Sequence, residues 1–342
     1  MKLWLEAPGG RVECSVCGVV QAWVPWARPD ARFTRAFEDE VAWLAAHTDK
    51  TTVSRLKRID WRTVGRIIER VVDEALAGSD GLSGLQRIGI DEIAYRKRHK
   101  YLVVVVDHDT GKLVWAAEGR TRKTVEAFFD ALGPERCAEL TLVSADAASW
   151  IGNVVRERAP QAELCLDPFH VVQWAQRALD RVRREKWRAL RKAGPRGLAL
   201  DLQRMRFALW RGPSNHTEAQ KVKMASIKRH NRPLYRAYLL KEQLREVIAL
   251  KGEAGIALLS RWLSWACRSR LEPFVRLQRR IRKHRVALEA ALRLRTGNAR
   301  VEALNTRIRV MMRQAYGFHS ADAAIALARL KLGGLCPELP RQ

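Results

Sequence analysis

The chain has 342 residues, 47% of them hydrophobic, enough for two or three domains around a sizeable core and too many for a disordered polymer. Its 63 Lys and Arg against 37 Asp and Glu give a formal charge of +26 spread along the whole length, and such an excess implies a polyanionic partner, nucleic acid before any other. The start, Met1 to Glu6, lacks a signal-peptide stretch, the apolar run Leu102 to Val106 is too short for a bilayer, and six scattered cysteines suit a reducing compartment rather than a disulfide framework.

In chain order, residues 1–30 carry Cys14-Ser15-Val16-Cys17-Gly18, half of the ligand set that tetrahedral zinc requires. No second Cys or His pair stands nearby, so Cys14 and Cys17 read equally as ordinary reduced thiols. Tight zinc is not expected unless other ligands are supplied. Residues 31–80 read as helices. Phe37, Val41, Leu44 and Ala45 make one apolar stripe, and Thr51 and Thr52 can cap a short helix holding Val53 and Leu56. Asp60 can cap the next, with Val64, Ile67, Ile68 and Val71 on one face and Arg62, Arg66 and Arg70 on another. Three helices ending in an arginine-lined one fit a helix-turn-helix whose last helix reads bases in the major groove; a small bundle with a solvated basic face is the alternative.

The pattern then turns to period two. Gln86–Tyr95, Lys100–Asp107 and Lys112–Gly119 are predicted strands, the last two joined by the turn Asp107 to Lys112. A helix with Val125, Phe128, Phe129 and Leu132 inward follows, then a strand Leu140–Ala145, a helix over 149–159 and a strand Ala162–Leu166. Three strands in a meander followed by alternating helix and strand is the order of a ribonuclease-H-like core. From Pro168 to about residue 292 the pattern is helical, and a basic tract there includes Arg181, Arg184, Arg188 and Arg191. Trp174, Trp187, Trp210, Trp262 and Trp265 interleave with it, and packing between helices is their expected role. A last long helix is predicted over 299–315.

Asp91 lies inside the first of these strands and Asp146 ends the fourth, strands that would be neighbours in such a core. A carboxylate in a central strand is costly unless paired or bound to a cation, and ligands gather at the carboxyl ends of strands. Glu92 competes with Asp91 for this role, and Asp107, Asp109 and Asp167 compete with Asp146. Glu302 is the candidate third carboxylate, though alone it reads as a helix-surface glutamate; Glu289 and Asp167 are its replacements if it points away.

Several segments carry a resemblance in their order along the chain. They are Val24-Pro25-Trp26-Ala27, Arg32-Phe33-Thr34, Gly89-Ile90-Asp91-Glu92, Val143-Ser144-Ala145-Asp146, Asp167-Pro168-Phe169-His170-Val171-Val172, Asn298 to Asn305, and Ala315-Tyr316-Gly317-Phe318. Together they resemble the DDE transposases of the ISL-three insertion-sequence family over essentially the whole chain. The resemblance implies an α/β fold: a ribonuclease-H-like mixed sheet over 81–335, interrupted by an all-helical insertion at about 175–292. A helix-turn-helix over 31–80 and a partial zinc ribbon over 1–30 precede it. It places the catalytic, metal-holding triad on Asp91, Asp146 and Glu302, with Asp167, Phe169, His170 and Asn305 as supporting motif residues. The implied cofactor is Mg²⁺ or Mn²⁺, two ions. The implied partners are the element's terminal inverted repeats and target duplex, bound by a homo-oligomer in the cytoplasm on the nucleoid, with no membrane. Relatives carry a longer zinc ribbon than Cys14 and Cys17 supply. A truncated or domesticated DNA-binding protein without catalysis, and a metal-dependent nuclease of the ribonuclease-H type, are the alternatives.

Overall fold

The computed structural model describes residues 10–22, 24–96, 100–193, 205–294, 299–315 and 317–339. A small hairpin opens it: β1 (Arg11–Cys14) pairs antiparallel with β2 (Gly18–Gln21) across a turn in which Gly18 takes a left-handed φ of 74°. Three helices follow, α1 (Arg35–His47), α2 (Lys50–Lys57) and α3 (Trp61–Ala77). Thr34 and Asp60 cap the first and third, accepting from the backbone N–H of Phe37 and Arg62. The cap of α2 is Asp49, which accepts from Thr51 and Thr52; those threonines are in the first turn, not at the cap position the sequence suggested. Between α2 and α3, Arg58 turns the chain in a left-handed conformation (φ 52°).

The sheet has five strands in the order β5-β4-β3-β6-β7, with β3 Arg87–Arg96, β4 Lys100–Asp107, β5 Leu113–Glu118, β6 Leu142–Ala145 and β7 Glu163–Leu166. β3–β4 and β4–β5 are antiparallel, whereas β3–β6 and β6–β7 are parallel. β3 therefore sits between the meander and the parallel half, and the first and fourth strands are neighbours. The inner strand β4 is buried on both sides, which is why its sequence is a continuous apolar run. Val103 and Val105 pack with α4 (Arg122–Leu132) and α6 (Ser149–Arg158), while a short helix, α5 (Pro134–Glu139), follows α4. Leu102, Val104 and Val106 face the opposite layer.

That opposite layer departs from the sequence reading. It is made by α14 (Ala299–Gln314), by α15 (Ala321–Leu332), a helix the sequence pattern did not bring out, and by α1–α3 themselves. Val64, Ile67, Ile68 and Val71 of α3 share one buried cluster with Ile93, Val104, Val301, Ile308 and Leu327. The amino-terminal helices are thus built onto the sheet rather than tethered beside it. α15 escaped notice because alanine dominates its buried side: Ala321, Ala323, Ala324, Ala326 and Ala328 give a weak amphipathic signal, yet they let helices approach closely.

The long α7 (Pro168–Ala193) leads into a helical bundle of α8 (Arg206–Trp210), α9 (Glu218–His230), α10 (Arg232–Leu250), α11 (Gly252–Arg268), α12 (Glu272–Lys283) and α13 (Arg285–Arg293). Trp174 and Trp262 are buried in its core, and the Trp262 indole donates to the Leu240 carbonyl at 2.7 Å. Trp187 and Trp265 are half-buried and Trp210 is largely exposed, so core packing accounts for most of these rings. Among the described residues no helix is long and apolar enough to cross a membrane.

Candidate active site

Alternation along β3 sends Gly89, Asp91 and Ile93 to the α14 side, and Ile88, Ile90 and Glu92 to the α4 side. Gly89 matters because α14 lies directly on it: a Cβ there would stand 2.5 Å from a Val301 methyl and 3.1 Å from both the His108 ring and the Ser144 hydroxyl. Only glycine admits that approach. One helical turn beyond Val301, Asn305 is buried and its Nδ2 donates to Asp91 Oδ2 at 2.5 Å, joining residues 214 apart in sequence. The other Asp91 oxygen accepts from the Glu92 N–H at 2.7 Å. Glu302, between Val301 and Asn305, is half-buried on the same helix.

Asp146 directly follows β6. The parallel ladder ends at the pair Ile90 and Ala145, so Asp91 and Asp146 are the next residues of two adjacent strands. His170, in the first turn of α7, lies with Nδ1 3.6 Å from Asp146 Oδ1 and Nε2 3.6 Å from Asp167 Oδ2. Asp167 is buried and accepts from the Phe169 N–H at 2.9 Å, whereas Phe169 itself is exposed. Acids thus collect from β3, β6, the β7–α7 junction and α14.

Their electrostatics follow from that crowding. Burial pushes the Asp91 carboxyl above the usual range; the Glu92 N–H, His170 and Asn305 oppose the shift, and Asp167 adds to it. Burial also raises Glu302, with the charges of Asp167 and Asp91 adding and those of His170 and Arg309 opposing. Burial raises Glu92 as well; Arg120, its ion-pair partner, opposes, while Asp146 and Asp91 add to the shift. Glu302 therefore feels Asp91, and Glu92 feels both aspartates.

The competing residues sort themselves physically. Asp107 accepts from the Asp109 and Thr110 N–H groups and the Thr110 hydroxyl, so it builds its own turn. Asp109 pairs with Arg87, and Glu289 with Arg285. Asp167 belongs to the cluster. Glu92 belongs to it too, from the other face of β3.

Two oxygens here, Asn305 Oδ1 and Glu92 Oε1, are buried without a hydrogen-bond partner. A set of carboxylate and amide oxygens with unmet acceptors fits a hard divalent cation in kind. Among the described residues, however, no three His, Cys, Asp or Glu side chains close on one point as metal ligands; His170 and Asn305 stand against the acids instead. The same holds at the hairpin: Cys14 is half-buried and Cys17 exposed, and backbone N–H groups of Val16 and Cys17 hold the Cys14 thiol below its ordinary pKa, with no ligand group of three around them.

The sequence reading missed a cation on the far side. Arg280 of α12 stacks on Trp174, 3.7 Å from the ring centroid. Arg280 feels the charge of Asp146, as does His284, and Arg177 opposes it at Arg280. Burial lowers the pKa of both Arg280 and His284. The pairing was invisible because one residue is on α7 and the other more than a hundred residues later.

The expected DNA-contacting arginines divide. Arg62 and Arg66 are exposed on α3, whereas Arg70 is engaged by the fully buried Glu38. In α7, Arg181 and Arg188 are exposed, Arg184 pairs with Asp180, and Arg191 lies over the Trp187 ring at 5.3 Å.

A family model described as a transposase matches residues 88–328, and one described as the helix-turn-helix domain of transposase family ISL3 matches residues 24–72. The chain is 49% identical over 359 residues to the transposase for insertion sequence element IS1557 of Mycobacterium tuberculosis, in strains CDC 1551 / Oshkosh and H37Rv. That match covers 99% of the chain and 81% of the relative. It is 26% identical over 321 residues to the transposase for insertion sequence element IS1001 of Bordetella parapertussis, covering 93% of the chain and 78% of that relative.

Proposed function

Because the chain belongs to the transposase family ISL3, a family of DDE transposases, we propose that it cuts DNA at insertion-sequence ends and joins the freed ends to target DNA, with Asp91, Asp146 and Glu302 as its carboxylate triad. The observation that carries this reading is the contact of α14 with β3. The glycine at position 89 lets the helix lie on the strand, Asn305 grips Asp91, and Glu302 comes under the charge of Asp91 across more than two hundred residues of sequence. A regulator that only binds DNA has no need to gather these acids. The strand order, with the meander beside two parallel strands, agrees with a ribonuclease-H-like core split by the helical bundle.

Asp91, Asp146 and Glu302 would hold divalent cations such as Mg²⁺ or Mn²⁺, whose chemistry when bound is to activate the attacking oxygen and stabilise charge on the leaving one. The chain's own residues do the rest. Asn305 fixes the Asp91 carboxylate through one oxygen. His170 stands between Asp146 and Asp167, 3.6 Å from an oxygen of each. Arg280, braced on Trp174 beside Asp146, supplies a cation for the phosphodiester that lies there, and Arg177 and His284 extend that grip. Exposed arginines of α3 and α7 hold the backbone farther out by releasing counterions.

The test uses the purified full chain, Mg²⁺ and labelled terminal-repeat duplex. Unmodified protein is expected to nick at the repeat end and join it to a second duplex. Asp146→Asn and Glu302→Gln are expected to bind the duplex as well or slightly better while losing both steps. Full cleavage by Glu302→Gln would remove α14 from the chemistry, and cutting without any joining would make the protein a nuclease.

A further inference from the structure

A cleft of about 1060 Å³ opens between α3, the far end of β3, Ala315 and residues 317–319. It is as large as the larger small-ligand sites, which span roughly 300–1,000 Å³. Lys50, Arg62, Arg66 and Arg96 line it against a single carboxylate, Glu69. Its rings are Trp61 and His319, with centroids 6.0 Å apart, and Phe318 and Tyr95. Trp61 is 40% exposed. Lys50 Nζ lies 3.7 Å from its centroid. That placement depends on a glycine in mid-helix, where glycine is unfavourable: a Cβ at Gly65 would stand 2.8 Å from the same Nζ. The open indole is held from beneath, not left over.

We propose that this cleft takes an unpaired nucleotide of a DNA strand, with its base on the Trp61 ring and its flanking phosphates on Arg62, Arg66 and Arg96. A helix reads duplex DNA by entering the major groove, which requires its outer face to be clear. Here the face carrying Arg62 and Arg66 shares a cleft with Arg96 and residues 317–319, so a strand seated in it would meet cations from both walls. A basic cleft with an aromatic platform is instead the form that holds single strands, since every base has a face to stack and every link a phosphate. The walls come from α3 and from β3, the strand that carries Asp91. A strand end melted from the duplex and seated here would be held by the element that orients the catalytic acids. The proposal rests on the reading of the chain as a transposase acting on DNA ends.

Fluorescence anisotropy on the full chain tests it with three labelled DNAs: a blunt duplex, the same duplex with a short unpaired extension, and the isolated strand. Trp61→Ala is expected to weaken binding of both unpaired substrates about tenfold, within the range of base–aromatic stacking, and to change blunt-duplex affinity less than twofold. Trp61→Phe should restore most of the loss. Arg96→Gln should lower the slope of log affinity against log salt by about 1 on unpaired DNA alone, and it carries the test if Trp61→Ala does not fold. Equal losses on all three DNAs, or an unchanged ratio between them, would overturn the cleft proposal while leaving the transposase reading standing. Failure of the unmodified chain to bind any of them would overturn both.

Discussion

Among the described residues, two clusters of charge on and beside the sheet are built on opposite rules. Beneath the amino-terminal helices, Glu38, Asp39 and Glu74 meet Arg28, Arg35 and Arg70, three acids against three bases. Arg28 reaches Glu38 at 3.3 Å, Asp39 at 2.6 Å and Glu74 at 2.7 Å, and the Glu38 side chain has no exposure at all. In and beside the middle strands of the sheet, Asp91, Glu92, Asp146, Asp167 and Glu302 face Arg120, His170, Arg309 and the outlying Arg280 and His284. The first cluster balances; the second leaves carboxylates raised above their ordinary pKa by burial and by one another. A paired buried network fixes the fold, whereas concentrated like charge is held against its own repulsion for something that is to bind there.

The largest expected effect tests the second cluster. Asp91→Asn should lower cleavage at least about a thousandfold, as loss of a member of an interdependent catalytic set does. It should also make the protein more stable at neutral pH in the absence of divalent metal. Asp91 has a raised folded-state pKa, so the folded protein holds that proton more tightly than the unfolded chain. Its contribution is fully favourable below the ordinary carboxylate pKa and is lost as pH rises through the raised one. Asparagine stays neutral throughout. The Tm advantage of the variant should therefore be present at pH 7 and shrink as pH falls towards about 4. A variant less stable than the parent at pH 7 would mean that Asp91 is a structural carboxylate like Glu38.

The first cluster predicts the reverse pairing of effects. Glu38→Ala takes the carboxylate partner from Arg70 while Arg28 keeps Asp39 and Glu74, which should cost about 1–3 kcal/mol of stability. Per-site chemistry should survive in whatever fraction stays folded. Urea unfolding and a cleavage assay normalised to folded protein measure the two separately. Loss of stability below about 1 kcal/mol would show that the network is decoration, and the contrast between the clusters would dissolve.

Much of this was legible in sequence because it depends on local pattern. Strand period placed Asp91 within β3 and Asp146 at the end of β6 to within a residue or two, and Asp60 was a readable cap. The ordered motifs pointed to family ISL3, which the family comparisons establish. What depended on distance was not legible. Arg70 looked like its neighbours Arg62 and Arg66 until Glu38, 32 residues earlier, was seen to hold it. Gly89 looked like a strand glycine of no account until Val301 was found against it. Arg280 and Trp174 carry no shared signal in a basic helical stretch, and α15 hid behind alanine. The role of Glu302 rested on resemblance alone, since one glutamate on a helix says nothing of the sheet on which the helix lies.

The smallest expected effect sharpens the comparison at its border. Arg120 pairs with Glu92 as Arg70 pairs with Glu38, and both partner carboxylates are almost fully buried. The cations differ: the Arg120 side chain is 51% exposed and that of Arg70 only 24%. An exposed cation keeps most of its hydration in the folded protein and its field is screened, so Arg120→Gln should cost no more than about 1 kcal/mol. Arg70→Gln, which removes a half-buried partner from a fully buried acid, should cost more. The Glu92 carboxyl should respond differently from Glu38. Burial already lifts it and Arg120 opposes the lift, so losing Arg120 should raise it further, and Glu92 can relieve the penalty by taking up a proton. Stability of Arg120→Gln measured against pH should then match the parent in acid, where Glu92 is protonated in both proteins, and fall slightly behind it above the ordinary carboxylate range. A loss that is equal at all pH values would assign Arg120 a packing role over the Tyr101 ring, whose centroid lies 4.9 Å away, and would leave Glu92 outside the electrostatics of the cluster.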